Sequence, residues 1–226
     1  MIGTDRNIDL QTEDGGLWIV TLDRPDKANS LTGPMLERLC EIAEAAQGAQ
    51  GEQGTRGEQG EQAARALILT GTGRVFSAGA DLDAARAGLA TSDLWERLST
   101  AIAALPGLSI AALNGTLAGG ANGMALACDL RIAVPGAKVF YPVMKLGYLP
   151  QPSDPARLAA LVGPARARLI LMAGQKIDAQ EALTFGLIDR IVPRDDLMAV
   201  ARELCADTLA ARPEIATGIK QMCQRV

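Results

Sequence analysis

Residues 109–129 read SIAALNGTLAGGANGMALACD. SIAALNG is an apolar run closed by Asn-Gly, which predicts a buried strand and its turn. TLAGGANG is a turn without bulk, and MALACD opens an apolar helix. The first N–H groups of a helix have no partner inside it, and the helix dipole there favours negative charge. Two adjacent glycines, Gly119 and Gly120, let a ligand oxygen approach that backbone. No acid or base stands among them, so whatever this turn does is done by main-chain groups.

A second stretch, ALILTGTGRVFSAGADL (66–82), repeats the design: a buried strand, then a glycine-rich turn. It is no dinucleotide fingerprint, because Phe76 stands where the third glycine belongs, and no P-loop, because GK[ST] is missing. What remains is Ser77-Ala78-Gly79-Ala80 followed by Asp81-Leu82. Taken alone, that is equally a tight turn that needs small residues. Taken with the first stretch, one N–H from the Ala78 turn and one from Gly120 are expected to converge on a single oxygen as an oxyanion hole. Each such donor contributes roughly 3–4 kcal/mol of transition-state stabilisation.

Around these stretches the pattern is α/β. NIDL and LWIVTL flank EDGG, a hairpin signature with Asp14-Gly15 at the turn. Met35, Leu36, Leu39, Ile42, Ala43 and Ala46 share one face of a helix over 32–47. LRIAVPG (130–136) reads as a further strand, with helical patterns at 88–104, 121–128, 156–172, 178–185, 195–211 and 213–223. Strands alternating with helices predict a parallel sheet. The chain divides on paper into a core over 1–154 and a helical subdomain over 155–226. GAQGEQGTRGEQGEQ (48–62) has glycine at every third position but no proline, so it reads as a linker of repeated triplets rather than a collagen strand.

Composition removes whole classes of function. The chain of 226 residues has no histidine, which excludes Ser-His-Asp and Cys-His nucleophiles and His-ligated zinc, and no metal site is expected. Net charge is −4 and only 3% of residues are aromatic, so nucleic acid is not an expected partner. The four cysteines, Cys40, Cys128, Cys205 and Cys223, are far apart and read as reduced core thiols. Residues 98–128 carry no charge, but Pro106-Gly107, Asn114-Gly115 and Gly119-Gly120 divide them, so no membrane span is expected. MIGTDRNIDL has no apolar leader core, and a cytoplasmic protein is the expectation.

With these pieces together, the chain resembles the enoyl-CoA hydratase/isomerase (crotonase) superfamily. The resemblance rests on LDRPDKANSLT, LILTGTGRVFSAGADL, ALNGTLAGGANGMALACDLRIA, VMKLGYLP…RLAALVG and GLIDRIV, which span about residues 17–220. It implies a crotonase-like ββα spiral with a C-terminal helical region, a CoA-thioester ligand, and no cofactor beyond the CoA of the substrate. It implies a thioester oxygen held by Ala78 and Gly120, and an entrance near Gly79, Ala80, Asp81, Leu82 and Gly119. It places Lys27 and Ala28 near the nucleotide end of CoA. It further implies a homotrimer or dimer of trimers. Chains of the family usually continue past a helix like PEIATGIK; ending at Val226 implies a more open pocket or one covered by a neighbouring subunit.

Two departures bear on the chemistry. The family's hydratases carry one glutamate in GGGxE and a second in a PE pair. Here those positions are Gly123 and Val143. A positioned acid or base contributes roughly 10²–10⁴-fold, so hydration is not expected. Tyr141, Tyr148, Asn122 and Gln151 are the polar residues available in their place. Tyr141 and Asn122 are the catalytic candidates, with packing as the alternative reading of the tyrosine. Asp154, just before Pro155, reads as a helix N-cap. Members without either glutamate include decarboxylases of malonyl-type thioesters. Isomerase, decarboxylase or hydrolase chemistry is therefore expected, the alternative being a non-catalytic acyl-CoA-binding or assembly subunit.

Overall fold

The computed structural model describes residues 7–48 and 63–224. The Gly-X-Y segment read at 48–62 lies, except for Gly48, outside the described residues.

The strands are β1 (Ile8–Glu13), β2 (Leu17–Leu22), β3 (Ala66–Gly71), β4 (Val75–Ser77), β5 (Leu108–Leu113), β6 (Thr116–Ala118), β7 (Leu130–Ala133), β8 (Lys138–Phe140), β9 (Ile177–Asp178) and β10 (Arg190–Ile191). The helices are α1 (Gly33–Ala46), α2 (Leu82–Arg86), α3 (Leu94–Ala103), α4 (Asn122–Ala127), α5 (Val143–Leu146), α6 (Asp154–Val162), α7 (Pro164–Leu171), α8 (Ala179–Phe185), α9 (Leu197–Ala210) and α10 (Pro213–Gln224).

Three times over, a strand of a larger sheet is followed by a strand of a smaller one and then by helix: β3-β4-α2, β5-β6-α4 and β7-β8-α5. The larger sheet runs β1-β2-β3-β5-β7-β10 and the smaller β4-β6-β8-β9. All pairings are parallel except β1 with β2 and β8 with β9. This is the ββα spiral. The corner between β5 and β6 demands Gly115, because a Cβ there would stand 1.9 Å from the Arg74 carbonyl oxygen.

α1 buries the stripe that its sequence periodicity predicts, and the Thr32 side chain accepts a bond from the Met35 N–H at its start. The helical pattern read at 156–172 is two helices, α6 and α7. Gly163, at φ 79°, ends the first, and Pro164 opens the second. Residues after 154 are not only helical: β9 extends the small sheet and β10 the large one. The uncharged run 98–128 is cut into the end of α3, β5, β6 and α4. Among the described residues no helix is long and apolar enough to cross a membrane.

α4 is only six residues long and is fastened from below. The buried Arg131 guanidinium donates to the Cys128 and Leu187 carbonyls at 2.7 and 2.8 Å. Cys40, Cys128 and Cys205 are buried free thiols as read from the sequence; Cys223, read there as a core thiol, is exposed.

Candidate active site

The two glycine turns meet. Gly79 has φ 89° and Gly119 φ 57°, both in the left-handed region that glycine enters at no steric cost. A Cβ at Gly79 would lie 2.9 Å from the Ala118 carbonyl oxygen and 3.4 Å from the Gly120 nitrogen. Only a bare backbone lets the turns approach so closely. Behind Gly120 stands the Trp95 indole, 3.1 Å from where a Cβ would be. Its own N–H donates to the Leu89 carbonyl at 2.7 Å, which fixes the ring as the floor.

The donors of the Ser77–Asp81 turn can be assigned one by one. Ala78 N–H donates to the Ala28 carbonyl at 3.0 Å, Asp81 N–H to the Leu31 carbonyl at 2.8 Å, and Gly79 N–H to Ser77 Oγ at 3.2 Å. The Ala80 N–H has no acceptor among the described residues. The expectation that Ala78 donates into the site is therefore corrected. Its N–H holds the Ala28 loop instead, and Ala80 is the residue of the turn with a free donor. Across from it, Gly120 is the second residue of the 3-10 turn Gly119–Ala121, where N–H groups have no internal partner.

Both turns face a pocket of about 300 Å³. Ala78, Ala80, Leu82, Gly119, Gly120 and Tyr141 all line it, with Phe140, Val143, Tyr148 and Gln151. The one charged lining residue is Arg86, and no carboxylate is among them.

Other residues singled out from sequence do different work. Asn122 is not turned to the pocket: its amide donates to the Gly119 and Phe140 carbonyls at 2.8 and 3.1 Å, bracing the glycine turn against β8. Asp81 is engaged by Arg24 at 2.9 Å and accepts the Asp83 and Ala84 N–H groups at the start of α2. The Arg24 guanidinium beside it holds its carboxyl below the usual range. Lys27 is exposed at the end of a short 3-10 turn. Ala28 and Asn29 both take positive φ, 51° each. Buried Asn29 makes that strained loop hold, accepting from Arg24 N–H and donating to the Thr72 and Val75 carbonyls.

Asp154 is the residue that the sequence reading misplaced. It does not cap α6; Ser153 occupies the cap position, and Asp154 is the first helical residue. The carboxylate points inward at 1% exposure, and Tyr141 donates to its Oδ2 at 2.9 Å. A Cβ at Gly123 would be 2.9 Å from its Oδ1, and Oδ1 has no hydrogen-bond partner. A carboxylate supplied by α6 thus stands against Gly123 of α4. Burial pushes its pKa up to about 6, with the Tyr141 bond and Arg157 opposing and Glu96 adding to the rise. Burial and then the Asp154 charge hold the Tyr141 phenol far above its ordinary range. Nothing in the sequence signals this pair, since the side chains meet across 13 residues and two separate elements.

The enoyl-CoA hydratase/isomerase family model matches residues 12–225, and the chain belongs to that family. A putative enoyl-CoA hydratase/isomerase of Bacillus subtilis is 35% identical, over 86% of this chain and 73% of that protein. The ethylmalonyl-CoA decarboxylase of Bos taurus is 29% identical, over 95% of this chain and 69% of that protein. Among solved structures, an enoyl-CoA hydratase from Bacillus anthracis superposes with a TM-score of 0.83 at 30% identity, over 97% of this chain and 83% of that one.

Proposed function

We propose that this member of the enoyl-CoA hydratase/isomerase family binds an acyl-CoA thioester of the malonyl type and removes its carboxylate as CO₂. The observation that carries the reading is the pocket wall: two converging backbone turns, Ala80 and Gly120, and no carboxylate lining it. Loss of CO₂ breaks the bond between the α-carbon and the carboxylate carbon. The electron pair moves onto the α-carbon and the thioester oxygen, forming an enolate, and no base is required. The Ala80 and Gly120 N–H groups stabilise the oxygen as it gains charge. Apolar Phe140 and Val143 surround the departing carboxylate, which disfavours the charged group and favours neutral CO₂. The similarity to ethylmalonyl-CoA decarboxylases is consistent with this chemistry.

The test is a turnover screen of the purified protein with malonyl, methylmalonyl, ethylmalonyl, 2-enoyl, 3-enoyl and 3-hydroxyacyl thioesters, read by mass. Loss of CO₂ from a malonyl-type thioester is the expected result. Addition of water to an enoyl thioester, or release of free CoA, overturns the reading in favour of a hydratase or hydrolase. Binding without turnover of any thioester moves it to an acyl-CoA-binding subunit.

A further inference from the structure

The enolate left by CO₂ must take up a proton at carbon, and the pocket wall holds no acid to give it. Two tyrosines line the pocket, and of these Tyr148 is exposed while Tyr141 is buried, so Tyr141 is the O–H shielded from solvent. A phenol is a weak acid, and burial beside a carboxylate weakens it further. A standing phenolate is thus excluded: the tyrosine can give up its proton only if another reaches its oxygen in the same step. Asp154 is built to supply it. It lies directly behind the phenol at 2.9 Å, is buried, and leaves Oδ1 unpartnered.

We propose that Tyr141 protonates the enolate carbon and that Asp154, behind it, is the positioning residue that supplies the replacement proton; this rests on the decarboxylase reading above. The Tyr141 O–H bond breaks as the new α-C–H bond forms, and the enolate electron pair returns from oxygen to make that bond. The carboxyl proton of Asp154 passes to the phenol oxygen. Asp154 is left as the carboxylate seen here, accepting from Tyr141, and regains a proton from solvent after product leaves. One proton is consumed per CO₂ released.

The charged surroundings suit an acid that is reloaded near neutrality. Facing Asp154 are Tyr141 after β8, Glu96 from α3 and Arg157 one turn along α6, while α4 brings the backbone of Gly123 against it. Glu96 is tied up by the Ser153 backbone N–H at 3.2 Å and by the Ser153 hydroxyl. Burial outweighs Arg157, so the carboxyl stays protonated to about pH 6. A substrate carboxylate arriving in the pocket adds like charge and extends that range upward.

The experiment runs the reaction on methylmalonyl thioester in D₂O with the wild type and two isosteric variants, Tyr141→Phe and Asp154→Asn, whose folding is checked by circular dichroism. The wild type is expected to place one deuteron on the α-carbon in a single configuration. Tyr141→Phe is expected to lower kcat about 100-fold, because the enolate must then wait for a proton from solvent, and to give both configurations in the product that forms. Asp154→Asn is expected to lower kcat about 100-fold and to remove the fall of kcat that the wild type shows above about pH 6. A single configuration from Tyr141→Phe, or a pH profile of Asp154→Asn that superimposes on the wild type, overturns the proton path and leaves the decarboxylase reading standing. No CO₂ from any malonyl-type thioester overturns that reading and the proton path with it.

Discussion

The Tyr141 hydroxyl donates to Oδ2 of Asp154 at 2.9 Å, while Oδ1 of the same carboxylate faces the backbone of Gly123. Three residues from separate stretches of the chain thus share one buried polar spot. A side chain at 123 and the carboxylate at 154 are mutually exclusive there.

Exclusion is measurable. Gly123→Ala puts a methyl 2.9 Å from Oδ1 of a short, buried side chain that has little room to move. It is expected to destabilise the protein by about 1–3 kcal/mol. In the Asp154→Ala background the same change is expected to cost less. Urea unfolding of the two single variants and the double variant gives the coupling energy directly.

Asp154 also makes stability depend on pH. Burial raises its pKa in the folded protein to about 6, above the 3.8 of a free aspartate. The folded state therefore holds this proton more tightly than the unfolded one, and stability falls as pH rises from about 4 through 6. The shift corresponds to about 3 kcal/mol by the conversion of 1.36 kcal/mol per unit. Asp154→Asn keeps an acceptor for Tyr141 and loses the buried charge. Unfolding free energies are expected to favour the variant at pH 8 by about 1–3 kcal/mol and to converge with the wild type near pH 4.

The two alanines of the SAGA turn should separate activity from stability. Ala80→Pro removes the N–H that has no acceptor. It is expected to lower kcat by about 10²–10³-fold with a small change in melting temperature. Ala78→Pro removes the bond to the Ala28 carbonyl. It is expected to cost at least about 1 kcal/mol of stability. Equal loss of activity without loss of stability from Ala78→Pro would restore Ala78 as the donor.

Asp81 joins the strained Ala28-Asn29 loop to α2 through Arg24 and the two capped N–H groups. Because its folded pKa is lowered, its contribution is present at neutral pH and is lost as pH falls into the acid range. Asp81→Ala is expected to lower stability by about 0.5–2 kcal/mol at pH 7 and to make little difference at pH 2. Thermal melts at the two pH values check this.

Much of the architecture was open to sequence reading. β2, β3 and β5 announce themselves as apolar runs because both faces of an interior strand of this sheet are buried. The smaller sheet was not readable. β4, β6 and β8 have three residues each, too few to show a period, and β9 and β10 have two. Asp-Pro at 154–155 carries the local signature of a helix start, and that signature says nothing about which way the carboxylate turns.

By itself the sequence determined buried strands alternating with helices, the side-chain-free turns at 77–81 and 119–120, and the absence of an acid at 123 and at 143. These are local properties: hydrophobic period, glycine content and residue identity. Only the tertiary structure decided which N–H of the first turn is free, that Asn122 is a brace, and that Asp154 stands against Tyr141 and Gly123. Each of these depends on which distant carbonyl or hydroxyl the packing of separate elements brings within hydrogen-bond reach, and residue spacing along the chain does not encode that.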